Sequence, residues 1–160
     1  MMVPRFFVEF VIIFSIFWWP THGRILTNCE AAKELQKAGI PKTFISNWVC
    51  LMRSESGMNT SLMKGPGTSS SFTYGIFQIS SLNNKYCIRG RKGGVCNKKC
   101  EDFLNDDISD DIICASKIEK AEGFKYWKGW LNKCKSKPLP DVANCKRRRR
   151  RDTINSDIIL

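Results

Sequence analysis

The sequence predicts an α+β fold in which helices dominate, built as one domain and held together by disulfide bonds. Helical periodicity occurs in two parts of the 160-residue chain, at about 27–56 and 109–134. Residues 57–100 between them are rich in Gly, Ser and Asn, and show strand periodicity only around 72–79. The chain also contains eight cysteines, an even number that favours a disulfide framework in a secreted protein.

The amino-terminal segment predicts a secretory signal peptide over residues 1–23. An almost wholly apolar run, FFVEFVIIFSIFWW at 6–19, follows Arg5 and gives way to the small residue Gly23 just before Arg24. A membrane anchor is the alternative, but the run is shorter than the roughly 20 residues that span a bilayer. We therefore expect cleavage after Gly23, an extracellular protein, and a folded domain over 24–145.

Histidine chemistry is excluded from the expected mature chain, because the only histidine, His22, lies in the segment to be removed. Cysteine-bound zinc is disfavoured, since the sequence contains no CxxC pair. The cysteines are therefore expected to form four disulfides, and their number alone does not select the pairing.

The chain is strongly basic, with a formal net charge of +11. Lys146 to Arg151 supply six positive charges and Asp152 and Asp157 remove two, which leaves +7 for residues 24–145. Such a domain concentrates near anionic surfaces such as bacterial walls, acidic glycans or lipids. We expect a monomer with no specific nucleic-acid partner.

The tail, residues 146–160, has neither apolar periodicity nor core residues and is predicted to be disordered. Three roles stay open for its polybasic run. A secretory-pathway convertase could cut after Arg151, the run could bind anionic surfaces, or it could be a solvated tail without a dedicated role.

The first helix is predicted to begin at the capping box formed by Thr27 and Glu30 and to stop before Gly39 and Pro41. Two later helices are predicted at 109–122, where acids occupy the first turn and a glycine follows, and at 124–134.

The second helix is predicted from about Lys42 to Ser56, and it carries an acid on its apolar face. Phe44, Trp48, Leu51 and Glu55 fall on one side of this helix. A carboxyl group on an apolar surface loses hydration when ionised, so its pKa is expected to rise, as a general acid requires. The alternative is an exposed glutamate at a frayed helix end.

Four segments, together with the order of the eight cysteines, resemble the C-type lysozyme family over about residues 24–145. They are NWVCLMRSESGMNT (47–60), TYGIFQIS (73–80), CNKKC (96–100) and YWKGWLNKC (126–134). The resemblance implies a helical domain and a small three-stranded β-subdomain with a sugar-binding cleft between them. It also implies four disulfides: Cys29 with Cys145, Cys50 with Cys134, Cys87 with Cys100, and Cys96 with Cys114.

By the same resemblance, Glu55 matches the general acid that protonates the β-1,4 glycosidic oxygen of bacterial peptidoglycan. Trp127 matches the tryptophan that packs beside that acid. The family's second catalytic aspartate corresponds to Thr73, a neutral residue that is a poor substitute. Because no Asp or Glu occurs between Glu55 and Glu101, this part of the chain supplies no other second carboxylate.

The expected substrate-binding residues are Gln78, Ser80, Tyr86 and Trp127. Gln78 is retained, whereas Ser80 stands where the family usually has a sugar-binding asparagine. Tyr86 remains from an aromatic pair and is expected to stack on a sugar ring. We expect weaker or altered glycan binding.

The segment FLNDDISDDI at 103–112 resembles the calcium loop of α-lactalbumin and of calcium-binding lysozymes. No cofactor is expected to be required. By the resemblance, a structural calcium ion would take side chains from Asn105, Asp110 and Asp111 and backbone carbonyls from Asp102 and Asp107. The alternative is that acids simply favour a helix amino terminus.

Three functions follow from the resemblance. The first is a secreted lysozyme-like glycoside hydrolase of reduced activity, serving antibacterial defence or digestion. The second is a non-catalytic glycan-binding protein, and the third is a cationic antimicrobial protein that disrupts membranes. An α-lactalbumin-like regulatory role is less favoured, and use of the glycosylation sequon at Asn59 is left undecided.

Overall fold

The computed structural model describes residues 23–145, so the expected signal peptide up to His22 and the tail 146–160 lie outside the described residues. Four α-helices and a small sheet build the domain. The helices are α1 (Asn28–Lys37), α2 (Ile45–Ser56), α3 (Ser109–Glu122) and α4 (Lys128–Lys133). Short 3-10 helices lie at Lys42–Phe44, Thr68–Ser70, Leu82–Asn84, Cys100–Phe103 and Phe124–Tyr126.

The first two helices begin and end largely where the sequence predicts. Thr27 and Glu30 form the capping box of α1, with each side chain bonded to the other residue's backbone amide. The predicted second helix is a 3-10 turn at Lys42–Phe44 followed by α2. Gly57 ends α2 in the left-handed conformation (φ 65°), which glycine adopts without steric cost.

The sheet has three antiparallel strands in the order β1-β2-β3: Met63–Lys64, Thr73–Tyr74 and Ile79–Ser80. The prediction of one strand around residues 72–79 is wrong, because the chain reverses inside that segment. Gly75 and Gln78 have positive φ angles of 70° and 51°, and a hydrogen bond from the Gln78 amide to the Gly75 carbonyl closes the turn.

The core joins the helices to the turn between β2 and β3. Trp48 of α2 packs edge-to-face against Phe77, with ring centroids 5.7 Å apart, and against Phe124 at 5.1 Å. Four disulfides add cross-links between Cys29 and Cys145, Cys50 and Cys134, Cys87 and Cys100, and Cys96 and Cys114. These are the pairs that the sequence resemblance implies.

Within residues 23–145, no helix combines the length and the apolar character needed to cross a bilayer.

Candidate active site

Glu55 lies in the last turn of α2, where it is half-buried, and its carboxylate is held from the other side by α4. The backbone amide of Gly129 donates a 2.7 Å hydrogen bond to Glu55 Oε1. A Cβ atom at position 129 would lie 2.5 Å from the same oxygen, so only glycine lets the helix backbone approach this closely. The acid is therefore fixed in place, and the alternative of a freely solvated glutamate at a frayed helix end does not apply.

Thr73 lies in β2, half-buried, and its hydroxyl is engaged within the β-subdomain. It donates a 2.6 Å hydrogen bond to Gln78 Oε1. The Gln78 amide nitrogen in turn donates to the carbonyl oxygens of Leu62 and Gly75, at 2.8 Å each. Gln78 is only 5 % exposed, so its amide braces Thr73 and the β2–β3 turn from within the protein.

A lysine stands beside Thr73 on the neighbouring strand. Lys64 of β1 is paired in register with Thr73 of β2, and Lys64 Nζ donates a 2.5 Å hydrogen bond to the backbone carbonyl of Glu55. The ammonium group thus connects the edge of the sheet to the end of α2. The charge next to Glu55 and Thr73 is positive, whereas the enzyme chemistry implied by the sequence resemblance requires a second negative group there.

Trp127 precedes α4 and is 3 % exposed. Its indole Nε1 donates a 2.8 Å hydrogen bond to the Phe77 carbonyl, and its ring packs edge-to-face against Tyr126 at 4.9 Å. These contacts anchor the start of α4 to the β2–β3 turn. Because Gly129 follows two residues later, Trp127 also sets the position of the amide that holds Glu55.

The expectation that Tyr86 offers a ring for sugar stacking is not met in this structure. The side chain is 3 % exposed, packs edge-to-face on Tyr126 at 5.4 Å, and donates its hydroxyl to Glu122 of α3. Ser80 is half-buried and its hydroxyl accepts a 3.0 Å hydrogen bond from the backbone amide of Leu82. Ser80 therefore braces the turn after β3.

Four of the five residues expected to bind calcium make hydrogen bonds or an ion pair within the protein: Asp102, Asn105, Asp107 and Asp110. The Asn105 amide nitrogen donates to the Asp102 carbonyl at 2.7 Å, which occupies an oxygen expected to bind the ion. Lys98 Nζ lies 2.7 Å from Asp110 Oδ2, so an ammonium neutralises a second expected ligand. Asp107 is used at the start of α3, where its carboxylate accepts from the Ser109 amide. No group of three or more His, Cys, Asp or Glu side chains among residues 23–145 is arranged to hold a metal.

Asp111 is the exception in this loop, because it is fully buried and neither carboxylate oxygen has a hydrogen-bond partner among the described residues. Burial, together with the neighbouring charge of Asp110, raises the pKa of Asp111 well above its usual value.

Sequence reasoning missed two residues of the site, Gly129 and Lys64. Gly129 acts through its backbone amide, which residue type does not reveal. Lys64 carries no local signal, since only the β1–β2 register brings it beside Thr73.

Comparisons with known proteins identify the relatives of this chain. A model of the C-type lysozyme/alpha-lactalbumin family matches residues 24–145. The chain is similar to lysozyme c-1 of Anopheles gambiae, with 47% identity over 74% of this chain and 82% of that protein. It is also similar to the lysozyme of Galleria mellonella, with 39% identity over 76% of this chain and all of that protein.

Solved structures show the same likeness. Canine milk lysozyme superposes with a TM-score of 0.65 and 35% identity, over 72% of this chain and 93% of that one. Lysozyme from Equus asinus has a TM-score of 0.65 and 31% identity, over 76% of this chain and 95% of that one. The described fold is thus shared with lysozymes, and the match over residues 24–145 shows that this chain belongs to the C-type lysozyme/alpha-lactalbumin family.

Proposed function

We propose that the protein is a secreted glycoside hydrolase that cleaves β-1,4 bonds of bacterial peptidoglycan, with Glu55 as the only catalytic carboxylate. The observation that carries this proposal is the 2.7 Å hydrogen bond that positions the Glu55 carboxylate from Gly129. Membership of the lysozyme family and four disulfides support extracellular action on this substrate.

Glu55 is set up to deliver one proton. As the general acid, Glu55 passes a proton to the glycosidic oxygen of the leaving sugar, and Oε2 is the carboxyl oxygen that does not bond to the Gly129 amide. Protonation makes that oxygen a better leaving group, and positive charge then develops on the remaining sugar ring.

Thr73 cannot stabilise that charge as a carboxylate would. Its hydroxyl is neutral and donates to Gln78, and the described protein offers no histidine to activate it. Lys64 adds a positive charge beside it. The reaction therefore proceeds by attack of water on the opposite face of the sugar. The new carbon–oxygen bond forms as the bond to the protonated leaving oxygen breaks, and the attacking water releases its proton to solvent. The reaction is slow because one developing charge lacks its counter-ion.

The same observations support a second candidate, a glycan-binding protein without turnover. Where the resemblance implies a catalytic aspartate, this chain has the neutral Thr73, and the cationic Lys64 is its register partner on the neighbouring strand. A cation in this position attracts a glycan that carries free carboxylate groups, without helping to break its glycosidic bond.

The test measures soluble muropeptides released from purified peptidoglycan by the chain starting at Arg24, by its Glu55→Gln variant, and by a matched control, Glu34→Gln. Glu34 is a helical glutamate whose carboxylate pairs with Lys37 on the surface of α1. Hydrolysis predicts release that falls by at least about 100-fold in Glu55→Gln only. Wall binding without release by any of the three proteins would identify the glycan-binding function.

A further measurement distinguishes the mechanism. If water attacks directly, the newly formed reducing sugar has the inverted anomeric configuration, which proton NMR detects before mutarotation. Retention of configuration would contradict the single-carboxylate mechanism.

A further inference from the structure

Residues 59–61 form the only Asn-X-Ser/Thr triplet in the chain, and they lie in the loop between α2 and β1. Thr60, in the middle of the triplet, is completely buried, and its hydroxyl donates a 2.7 Å hydrogen bond to Asp106 Oδ1. Asn59 and Ser61 on either side are partly exposed. The buried threonine thus anchors the loop, while the two outer residues of the triplet reach solvent.

The Asn59 side chain uses its oxygen within the loop and leaves its nitrogen unused. Oδ1 accepts hydrogen bonds from the Ser61 backbone amide at 3.0 Å and from the Ser61 hydroxyl at 3.3 Å. Because a backbone amide only donates, this contact identifies the oxygen of the Asn59 amide. Nδ2 makes no hydrogen bond within residues 23–145, and it is not a buried atom left without a partner. The nitrogen that would carry a glycan is therefore open to solvent.

An exposed isoleucine lies beside Asn59. Ile25 and Asn59 are partners in an antiparallel bridge. The backbone hydrogen bonds that flank the pair, donated by Leu26 and Thr60, are each 3.0 Å long. In a pair flanked in this way the two side chains lie on the same face, with Cβ atoms about 4.5–5.5 Å apart. Ile25 is nevertheless 71 % exposed, so the apolar surface next to Asn59 is left uncovered by residues 23–145.

We propose that Asn59 carries an N-linked glycan and that the first N-acetylglucosamine covers the Ile25 side chain. In the transfer, the Asn59 amide nitrogen bonds to the anomeric carbon of the sugar and loses one proton. The bond from that carbon to the oxygen of a lipid-linked pyrophosphate breaks, and the pyrophosphate leaves with the electron pair. Because the sugar is added as the chain enters the secretory pathway, before folding, burial of Thr60 does not prevent the transfer. This inference is independent of the glycosidase activity.

The folded domain accommodates this group without rearrangement. The glycan uses only Nδ2, so both hydrogen bonds from Ser61 to Asn59 Oδ1 are kept. The C–H face of a sugar ring is apolar, and placing it over Ile25 removes apolar surface from water. The modification therefore covers the most exposed of the large apolar side chains within residues 23–145.

The experiment expresses the full chain, Met1 to Leu160, in eukaryotic cells and measures its intact mass before and after treatment with peptide N-glycosidase. We expect one N-glycan, which the enzyme removes while converting Asn59 to aspartate, a change that peptide mass spectrometry locates. Ser61→Ala keeps Asn59 but removes the hydroxyl that the triplet requires, so it should abolish the glycan. Ser61→Thr is the matched control, because it keeps a hydroxyl and should keep the glycan.

An unmodified wild-type chain, whether secreted or retained in the cells, would overturn the proposal, as would a glycan that persists in Ser61→Ala. The position of the sugar is measured by NMR after an endoglycosidase has trimmed the glycan to one N-acetylglucosamine. Nuclear Overhauser effects are expected between the sugar ring protons and the Ile25 methyl groups. Ile113 of α3, which is 58 % exposed, is the internal control and should show none. Absence of the Ile25 contacts would show that the sugar does not cover this side chain.

Discussion

Lys64 and Thr73 are register partners on β1 and β2, and the Lys64 ammonium reaches 2.5 Å from the carbonyl oxygen of Glu55. The side of the site facing the general acid therefore carries a cation and a hydroxyl. A hydrolase built this way has its proton donor but lacks the negative group that stabilises a glycosyl cation.

Replacing Thr73 by aspartate should increase peptidoglycan hydrolysis by about 10- to 100-fold, because a carboxylate stabilises the developing positive charge. The measurement is the rate of muropeptide release under identical conditions. Thr73→Asn is the matched control, since it has the same shape without the charge and also loses the hydroxyl bonded to Gln78. If Thr73→Asp is no faster than Thr73→Asn, the missing carboxylate is not what limits the rate.

Gly129→Ala should lower the rate of hydrolysis by about 10- to 100-fold, because the added methyl group displaces the Glu55 carboxylate. The thermal midpoint should change little by comparison, since alanine is the better helix former. Asn132→Ala, at an exposed position of the same helix, is expected to leave the rate unaltered. An unchanged rate in Gly129→Ala would show that the Gly129 contact does not position the acid.

Glu122→Gln should weaken the link between α3 and the Lys85–Tyr86 segment. Lys85 Nζ lies 2.5 Å from Glu122, and the hydrogen bonds from Lys85 and then Tyr86 lower the pKa of the Glu122 carboxyl group. A carboxyl group whose pKa is lowered by folding stabilises the folded state at pH values above its pKa in the unfolded chain, about 4.3. This stabilisation is lost as the pH falls through the lowered pKa of the folded state.

We therefore expect Glu122→Gln to cost about 0.5–1 kcal/mol at pH 7, since the pair is partly exposed to solvent. The cost should shrink as the pH falls below about 4.3 and through the lowered pKa of Glu122. Chemical denaturation at several pH values measures it, with Glu119→Gln one turn earlier on α3 as the control. A cost that does not depend on pH would mean that packing of Tyr86, rather than the carboxylate charge, is responsible.

Calcium should not stabilise the protein, because Lys98 neutralises Asp110 and the Asn105 amide occupies the Asp102 carbonyl. The thermal midpoint is expected to be the same with about 5 mM calcium and with a chelator. The double variant Lys98→Ala, Asn105→Asp removes the cation and restores an acid, and it should gain a calcium-dependent rise in midpoint. A rise in the unsubstituted protein would show that the loop rearranges around the ion.

Sequence reasoning predicted the first three helices well, because their signals are local. The fourth, predicted over 124–134, is instead a 3-10 helix at Phe124–Tyr126 followed by α4 at Lys128–Lys133, since Trp127 between them is extended. The capping box at Thr27 and Glu30, the glycine after α2 and the apolar stripe that includes Glu55 each depend on residues within a few positions of one another. The family resemblance supplied the disulfide pairs, which spacing alone left open.

The β-subdomain was harder to predict from the sequence, because its structure depends on backbone conformations that residue type does not indicate. Gln78 adopts a positive φ of 51°, which turns a predicted single strand into two short strands and a turn. Tyr86 was expected at a sugar, but Glu122 and Tyr126, about 40 residues away, bury it. Contacts of this range follow from tertiary packing and cannot be inferred from local periodicity.

The disulfide between Cys29 and Cys145 fixes the residue to which the basic run 146–151 is attached. The two Cα atoms are 5.2 Å apart, so Cys145, the residue that precedes the basic run in the sequence, is held at the first turn of α1. A cut after Arg151 would leave these cations on the domain and discard Asp152 and Asp157. Such trimming would make the net charge of the remaining tail more positive. An anionic wall that attracts the tail would then draw in the side of the molecule on which α1 starts.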